Sequence, residues 1–245
     1  MSPMSLIADA RTLLQLARGT SGHASHAERL QAFYGPQALH YDAFRERLLH
    51  GREDLIRRLA PPPGGMVVEL GAGTGRNLEY FGARLNSLAR VEVVDLCPAL
   101  LEQARKRCAR WPGVAAVVEA DATTYRPSQP ADCVYFSYAL TMIPDWQAAV
   151  DNALAMLRPG GLLGAVDFYV PPRYPPAGIA RQSGVSRHFW RRWFRHDGVH
   201  LDPRHLPYLL GRSEPVCCEQ RHAAVPYLPG LRVPYYLYIG RKPAP

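Results

Sequence analysis

The chain has 245 residues, enough for one large domain that buries most of its apolar surface. Its hydrophobic content is 47% and its charged content 20%, as in ordinary globular proteins. The net charge of +8 is spread along the chain, so it excludes no anionic partner and selects none.

At the N-terminus, residues 4–18 set Leu6, Ile7, Ala10, Leu13, Leu14 and Ala17 at helical spacing, which predicts an amphipathic helix. Asp9 and Arg11 interrupt its apolar residues, so it does not read as a signal peptide, and a cytoplasmic protein is expected. Residues 19–25 read as a flexible link, which makes 1–27 a helix and linker ahead of a domain over 28–245. A helical stretch over about 26–59 is expected to stop at "APPPGG".

From there strands and helices alternate. MVVEL (66–70), VEVVDL (91–96), VAAVVEA (114–120), DCVYFSYA (132–139) and LLGAVDFYV (162–170) read as strands. Helices are predicted from the glycine loop to about Leu85, from Pro98 through Arg110, and over Trp146–Leu157, with "RPGG" as the turn into the fifth strand. This alternation predicts an α/β domain with a mostly parallel sheet covered on both faces. Residues 171–213 break the rhythm and read as an insertion, and the last two strands, 214–219 and 233–242, as an antiparallel edge pair. Five cysteines without C-x-x-C spacing argue against disulfides or a cysteine metal site. Adjacent Cys217 and Cys218 are expected on opposite faces of a strand. His196 and His200 are four apart but lack an obvious third ligand, so no metal is expected.

The chemistry-bearing signals lie at successive strand ends, where open α/β sheets bind ligands. After the first strand, "VVELGAGTGRN" places Gly71, Gly73 and Gly75 in a loop that lets a ligand approach the backbone. A dinucleotide fingerprint would need glycine at 76, where this chain has Arg76. G-x-G-x-G behind the strand acid Glu69 instead resembles motif I of the class I S-adenosylmethionine-dependent methyltransferases. Asp95 ends the second strand and can accept both hydroxyls of a ribose, whether of NAD or S-adenosylmethionine, or can cap the next helix. Asp121 and Ala122 end the third strand, as a site for an adenine ring or as a simple turn.

Longer phrases extend the resemblance. "FYGPQ" (33–37), "SYALTMIPDW" (137–146), "FWRRWF" (189–194) and "VPYYLYIGRK" (233–242) are similar to the N-methyltransferase domain of betaine-lipid synthases, over about 26–242. The resemblance implies a Rossmann-like class I methyltransferase fold with seven strands, mostly parallel, helices on both faces and an antiparallel C-terminal strand. It implies S-adenosyl-L-methionine as methyl donor. The acceptor it implies is the homoserine amine of diacylglyceryl homoserine, and the product the betaine lipid diacylglyceryl-N,N,N-trimethylhomoserine. A separate 3-amino-3-carboxypropyl transferase would supply that acceptor, since one glycine motif is present here. Phosphatidylethanolamine, a quinone, a soluble amine or a non-catalytic S-adenosylmethionine-binding role remain alternatives. No concentrated basic stripe or RNA-stacking motif points to nucleic acid.

Tyr34, Tyr41, Arg52, Glu69, the three loop glycines, Asn77, Asp95, Leu96, Asp121, Ala122 and Ser137 are the expected cofactor contacts. Among the polar residues after the fourth and fifth strands, Ser137, Tyr138, Asp145 and Asp167, the expected catalytic pair is Tyr138 and Asp167. Tyr138 would orient or deprotonate the amine, and Asp167 would attract it. Methylated amines are cations that favour aromatic walls, for which Tyr34, Tyr41, Phe136, Tyr138, Phe168, Tyr169 and Trp190 are candidates. Arg187, Arg191 or Arg192 can pair with a substrate carboxylate. Either the 4–18 helix or the basic, aromatic 187–195 block can meet an anionic membrane surface.

Overall fold

The computed structural model describes residues 28, 47–196, 199–226, 228 and 230–244. The expected N-terminal helix, its linker, Tyr34 and Tyr41 lie outside the described residues, as does the side chain of His196.

A seven-stranded sheet organises the domain, in the order β3-β2-β1-β4-β5-β7-β6. The strands are β1 (Met66–Leu70), β2 (Arg90–Asp95), β3 (Ala115–Glu119), β4 (Ala131–Ser137), β5 (Leu157–Phe168), β6 (Glu214–Ala224) and β7 (Arg232–Arg241). β1 to β5 pair in parallel, and β7 runs antiparallel to both β5 and β6. Every residue of β1 is buried, as expected for a central parallel strand covered on both faces. The sheet divides two cores. Val67, Tyr135 and Val166 belong to one, and Val68, Phe136 and Ala165 to the other. Cys217 packs against the first core and Cys218 against the second, as their adjacency in a strand predicts.

Among the described residues the α-helices are α1 (Arg52–Leu59), α2 (Pro98–Cys108), α3 (Trp146–Met156), α4 (Gly184–His196) and α5 (His205–Arg212). The long helix expected to run to residue 59 is interrupted. Arg47 and Leu48 are helical, but Gly51 takes φ 84 and α1 starts anew after it. A left-handed residue cannot continue an α-helix, and glycine adopts it without Cβ strain. The segment after the glycine loop, Arg76–Ser87, is 3-10 rather than α-helix, with a kink at Gly82. "RPGG" lies inside β5, at a register shift against β4, rather than before it. Between β5 and β6, residues 171–213 carry α4 and α5, and α5 packs on β6 and β7. Among the described residues no helix is long and apolar enough to cross a membrane.

Strand order reverses at β1, which pairs with β2 on one side and β4 on the other. In open α/β sheets the crevice at the carboxyl ends of such strands is the ligand site.

Candidate active site

The glycine loop leaves β1 under tight steric control. A Cβ at Gly71 would lie 2.5 Å from the Ala139 Cβ, so only glycine lets the loop pass the end of β4. Gly71 and Ala72 donate their backbone N–H groups to Val94 O at 2.9 and 3.0 Å. Gly73 N–H donates to Asp95 Oδ2 at 2.8 Å, and Cys97 N–H to Oδ1 at 2.8 Å. Asp95 therefore stitches the loop to the start of α2. Arg107 on α2 donates to Thr74 O and pairs with Glu79 at 3.0 Å, holding the loop from outside.

Beneath the loop, Glu69 is almost fully buried. It accepts from Asn77 Nδ2 at 2.6 Å and from Tyr135 Oη at 2.9 Å. Burial pushes its carboxyl up to about 7, against the pull of these two hydrogen bonds and the Arg52 guanidinium. Arg52 is itself buried, with Nε donating to Leu49 O at 3.2 Å. The cleft above is lined by Arg52, Glu69, Gly71, Gly73, Asn77 and Ser137. They are six of its ten lining residues, each an expected cofactor contact, and come from α1, β1, the loop, the 3-10 segment after it and β4. Ser137 Oγ and Asn77 Oδ1 are buried without a hydrogen-bond partner among the described residues. Buried polar atoms rarely stay so, and two of them on one cleft fit a polar ligand.

At the neighbouring strand end, Ala120 N–H donates to Asp95 O at 3.1 Å, aligning the ends of β2 and β3. Asp121 is exposed, and its Oδ1 accepts from Thr123 N and Oγ1 at 2.8 and 2.7 Å. Ala122 is buried. Asn152 on α3 donates to Ala122 O at 2.8 Å and Tyr125 O at 2.9 Å, fixing the turn. Leu96 sits half-buried after Asp95. Residues 95–96 and 121–122 thus sit one and two strands from the loop, on the same edge of the sheet.

On the other side of the cleft, Tyr138 follows Ser137 with φ 55. Its N–H donates to Val166 O at 2.8 Å and its hydroxyl to His50 O at 2.7 Å. Its ring meets Phe168 edge-on at 4.6 Å, Phe168 meets Phe194 at 4.4 Å, and Phe194 meets Trp190 at 5.9 Å. Three of the proposed aromatic walls, Tyr138, Phe168 and Trp190, are therefore one stack, joined by Phe194. Phe136 and Tyr169 are not part of it and lie in the opposite core: Tyr169 is next to Phe168 and faces the other way, and β4 ends before Tyr138, whose left-handed backbone breaks the alternation from Phe136.

Asp167 was expected to face a substrate amine. It is fully buried and accepts from Thr141 N at 3.1 Å, Thr141 Oγ1 at 2.8 Å and Phe168 N at 2.8 Å. In this arrangement it pins the loop after β4. Asp145 caps α3, accepting from Ala148 N at 3.2 Å. Arg187 Nε donates to Pro171 O at 2.9 Å, tying α4 to the end of β5. Arg191 lies away from the loop, in a basic cleft with Arg192, Arg195 and the 199–204 segment.

Several contributors have no motif. Tyr135 reaches Glu69 because β1 and β4 pair them directly, a register the sequence does not print. Asn152 could have been noticed as a lone amide among alanines on a buried helix face. Phe194 is inside "FWRRWF", where helical spacing from Trp190 puts both on one face.

Comparison with known proteins agrees with this geometry. The family described as Methyltransferase domain matches residues 67–161, the span from β1 into β5. Trans-aconitate 2-methyltransferase of Variovorax paradoxus is 30% identical over 124 residues, 50% of this chain and 46% of that protein. The chain spans about half the length of the first such relatives it matches. N-methyltransferase NodS from Bradyrhizobium japonicum, solved in complex with S-adenosyl-L-homocysteine, superposes with TM-score 0.61 at 20% identity, covering 89% of this chain and 96% of that one. The 1,6-didemethyltoxoflavin-N1-methyltransferase of Burkholderia thailandensis, with S-adenosylhomocysteine bound, gives TM-score 0.60 at 20% identity, covering 91% and 93%. Residues 67–161 thus resemble a methyltransferase domain, and the chain shares the fold of these solved methyltransferases.

Proposed function

We propose that this protein is an S-adenosylmethionine-dependent N-methyltransferase acting on a lipid-borne amine, the homoserine amine of diacylglyceryl homoserine, to give diacylglyceryl-N,N,N-trimethylhomoserine. The observation that carries the amine reading is the buried Tyr138–Phe168–Phe194–Trp190 stack, whose Tyr138 directly follows Ser137 of the loop cleft. Aromatic faces attract ammonium groups, and partly methylated amines are cations at neutral pH. The residues present suit the methyl donor. Asp95 would take the ribose hydroxyls, Asp121 and Ala122 the adenine, and Arg52, Asn77 and Ser137 the methionine end. The donor supplies a methyl group on a sulfonium centre, and this chain supplies alignment, dryness and a path for the amine proton. Arg187, whose Nε donates to Pro171 O, would offer its other guanidinium N–H groups to the homoserine carboxylate. The reading implies a separate 3-amino-3-carboxypropyl transferase upstream and work at a membrane face.

The test is incubation with labelled S-adenosylmethionine and detergent-dispersed diacylglyceryl homoserine, with mono-, di- and trimethylated lipids resolved. Label in all three supports the reading, and none refutes this acceptor. A second reading rests on the 30% identity to trans-aconitate 2-methyltransferase. Label on trans-aconitate and none on the lipid would favour it.

A further inference from the structure

We infer that α4 docks the protein on an anionic phospholipid surface, with its exposed aromatic ridge in the interface and its arginine cleft on the headgroup phosphates. The helix has three faces. Trp190 and Phe194 are buried and join the acceptor-side stack. Val185, Phe189 and Trp193, at i, i+4 and i+8, form a second face exposed by 83%, 40% and 40%. Large apolar side chains in line on an exposed helix mark an interaction surface. The third face carries His188, Arg191, Arg192 and Arg195, which line a cleft closed by the 199–204 segment.

Charge selects the occupant. No acidic residue lies in Gly184–His196. Asp202, the acid lining the cleft, is already bound by Arg204, with two Nε contacts at 3.0 and 3.1 Å and one from Nη2 at 2.6 Å. Arg191, Arg192 and Arg195 have no ion-pair partner among the described residues. Unpaired arginines beside an aromatic and aliphatic ridge match an anionic bilayer, whose phosphates lie just outside its apolar boundary. The ridge is also continuous with the interior. Phe189 meets Trp190 at 4.9 Å, and Trp190 leads through Phe194 to Phe168. Docking there would bring the bilayer to the aromatic side of the candidate active site. The inference deepens the lipid reading and rests on it for its purpose, but the two fail separately. Docking is read without methyl transfer, and methyl transfer is read on lipid in detergent.

The experiment is co-sedimentation of the full chain with vesicles of phosphatidylcholine alone, or with about one-third phosphatidylglycerol. Binding to the anionic vesicles, weakened by salt and absent on phosphatidylcholine alone, is expected. Arg192→Gln with Arg195→Gln should weaken it on the order of tenfold or more. Phe189→Ser with Trp193→Ser should abolish it while S-adenosylhomocysteine affinity stays unchanged. Val185→Asp, at a position with almost no packing, guards against misfolding as the cause and should also weaken binding. No binding to anionic vesicles, or wild-type binding by all three variants, overturns the inference. So does binding to a short RNA that needs the same ridge while vesicles are ignored.

Discussion

Asn77 donates its side-chain amide to Glu69 Oε1 at 2.6 Å, joining the first turn after the glycine loop to the strand before it. The loop is thus closed from beneath by a carboxyl that burial has pushed up to about 7.

That carboxyl gives a signed prediction for pH. Unfolded, Glu69 titrates near 4.5, and folded near 7. Between these values the native state holds more protons, so this group's contribution falls as pH rises, by roughly 3 kcal/mol in all. His205 has the opposite sign. It is buried edge-on against Trp146 at 4.5 Å, and burial lowers it from 6.5 to about 4. Below 6.5 the unfolded state gains the proton, so its contribution is lost as pH falls. The two slopes oppose each other between pH 4.5 and 6.5. Urea unfolding across that range should show Glu69→Gln gaining stability as pH rises and His205→Leu losing it. Parallel profiles for the two variants would contradict both assignments.

Asp95→Ala should weaken S-adenosylhomocysteine binding on the order of 100-fold or more in calorimetric titration. The substitution removes the acceptor for Gly73 N–H and Cys97 N–H as well as for the ribose. Asp95→Asn keeps one acceptor oxygen and should fall between. Unchanged affinity in the alanine variant would remove Asp95 from the site.

Much of this was legible beforehand, and the limits have physical causes. The central strands are mainly apolar runs, so the strands expected over 66–70 and 91–96 meet β1 (Met66–Leu70) and β2 (Arg90–Asp95) and carry the loop and its acid with them. Glu69 stood out as the acid in an apolar strand, but Tyr135 needed the β1–β4 register. Asp167 shows the limit most sharply. From sequence it is an acid at a strand end, equally fit for substrate or structure, and only the position of Thr141, 26 residues earlier, decides which. The 3-10 form of Arg76–Ser87 was equally hidden, because its apolar spacing suits either helix and Gly82 breaks it.

Asp167→Ala should cost about 3 kcal/mol or more in urea unfolding, because it strands three buried donors. Thr141→Val, which removes one of them, should cost about 1 kcal/mol. If Asp167 instead served mainly to attract the amine, Thr141→Val would leave stability unchanged and Asp167→Ala would raise only the acceptor KM.

Tyr138→Phe separates anchoring from proton transfer. The hydroxyl donates to His50 O at 2.7 Å, one residue before Gly51 and the start of α1, which carries Arg52 into the cleft. Loss of that anchor should cost about 1 kcal/mol of stability and lower kcat roughly tenfold, with S-adenosylhomocysteine affinity kept within about twofold. A general base would cost about 100-fold or more, and its loss would remove the rise of rate with pH that its deprotonation gives. The ring is preserved in this variant, and with it the edge contact to Phe168 at 4.6 Å. Phe168→Leu removes that face instead. It should weaken retention of the mono- and dimethylated amines, so that partly methylated lipid accumulates while the first methyl transfer is little changed.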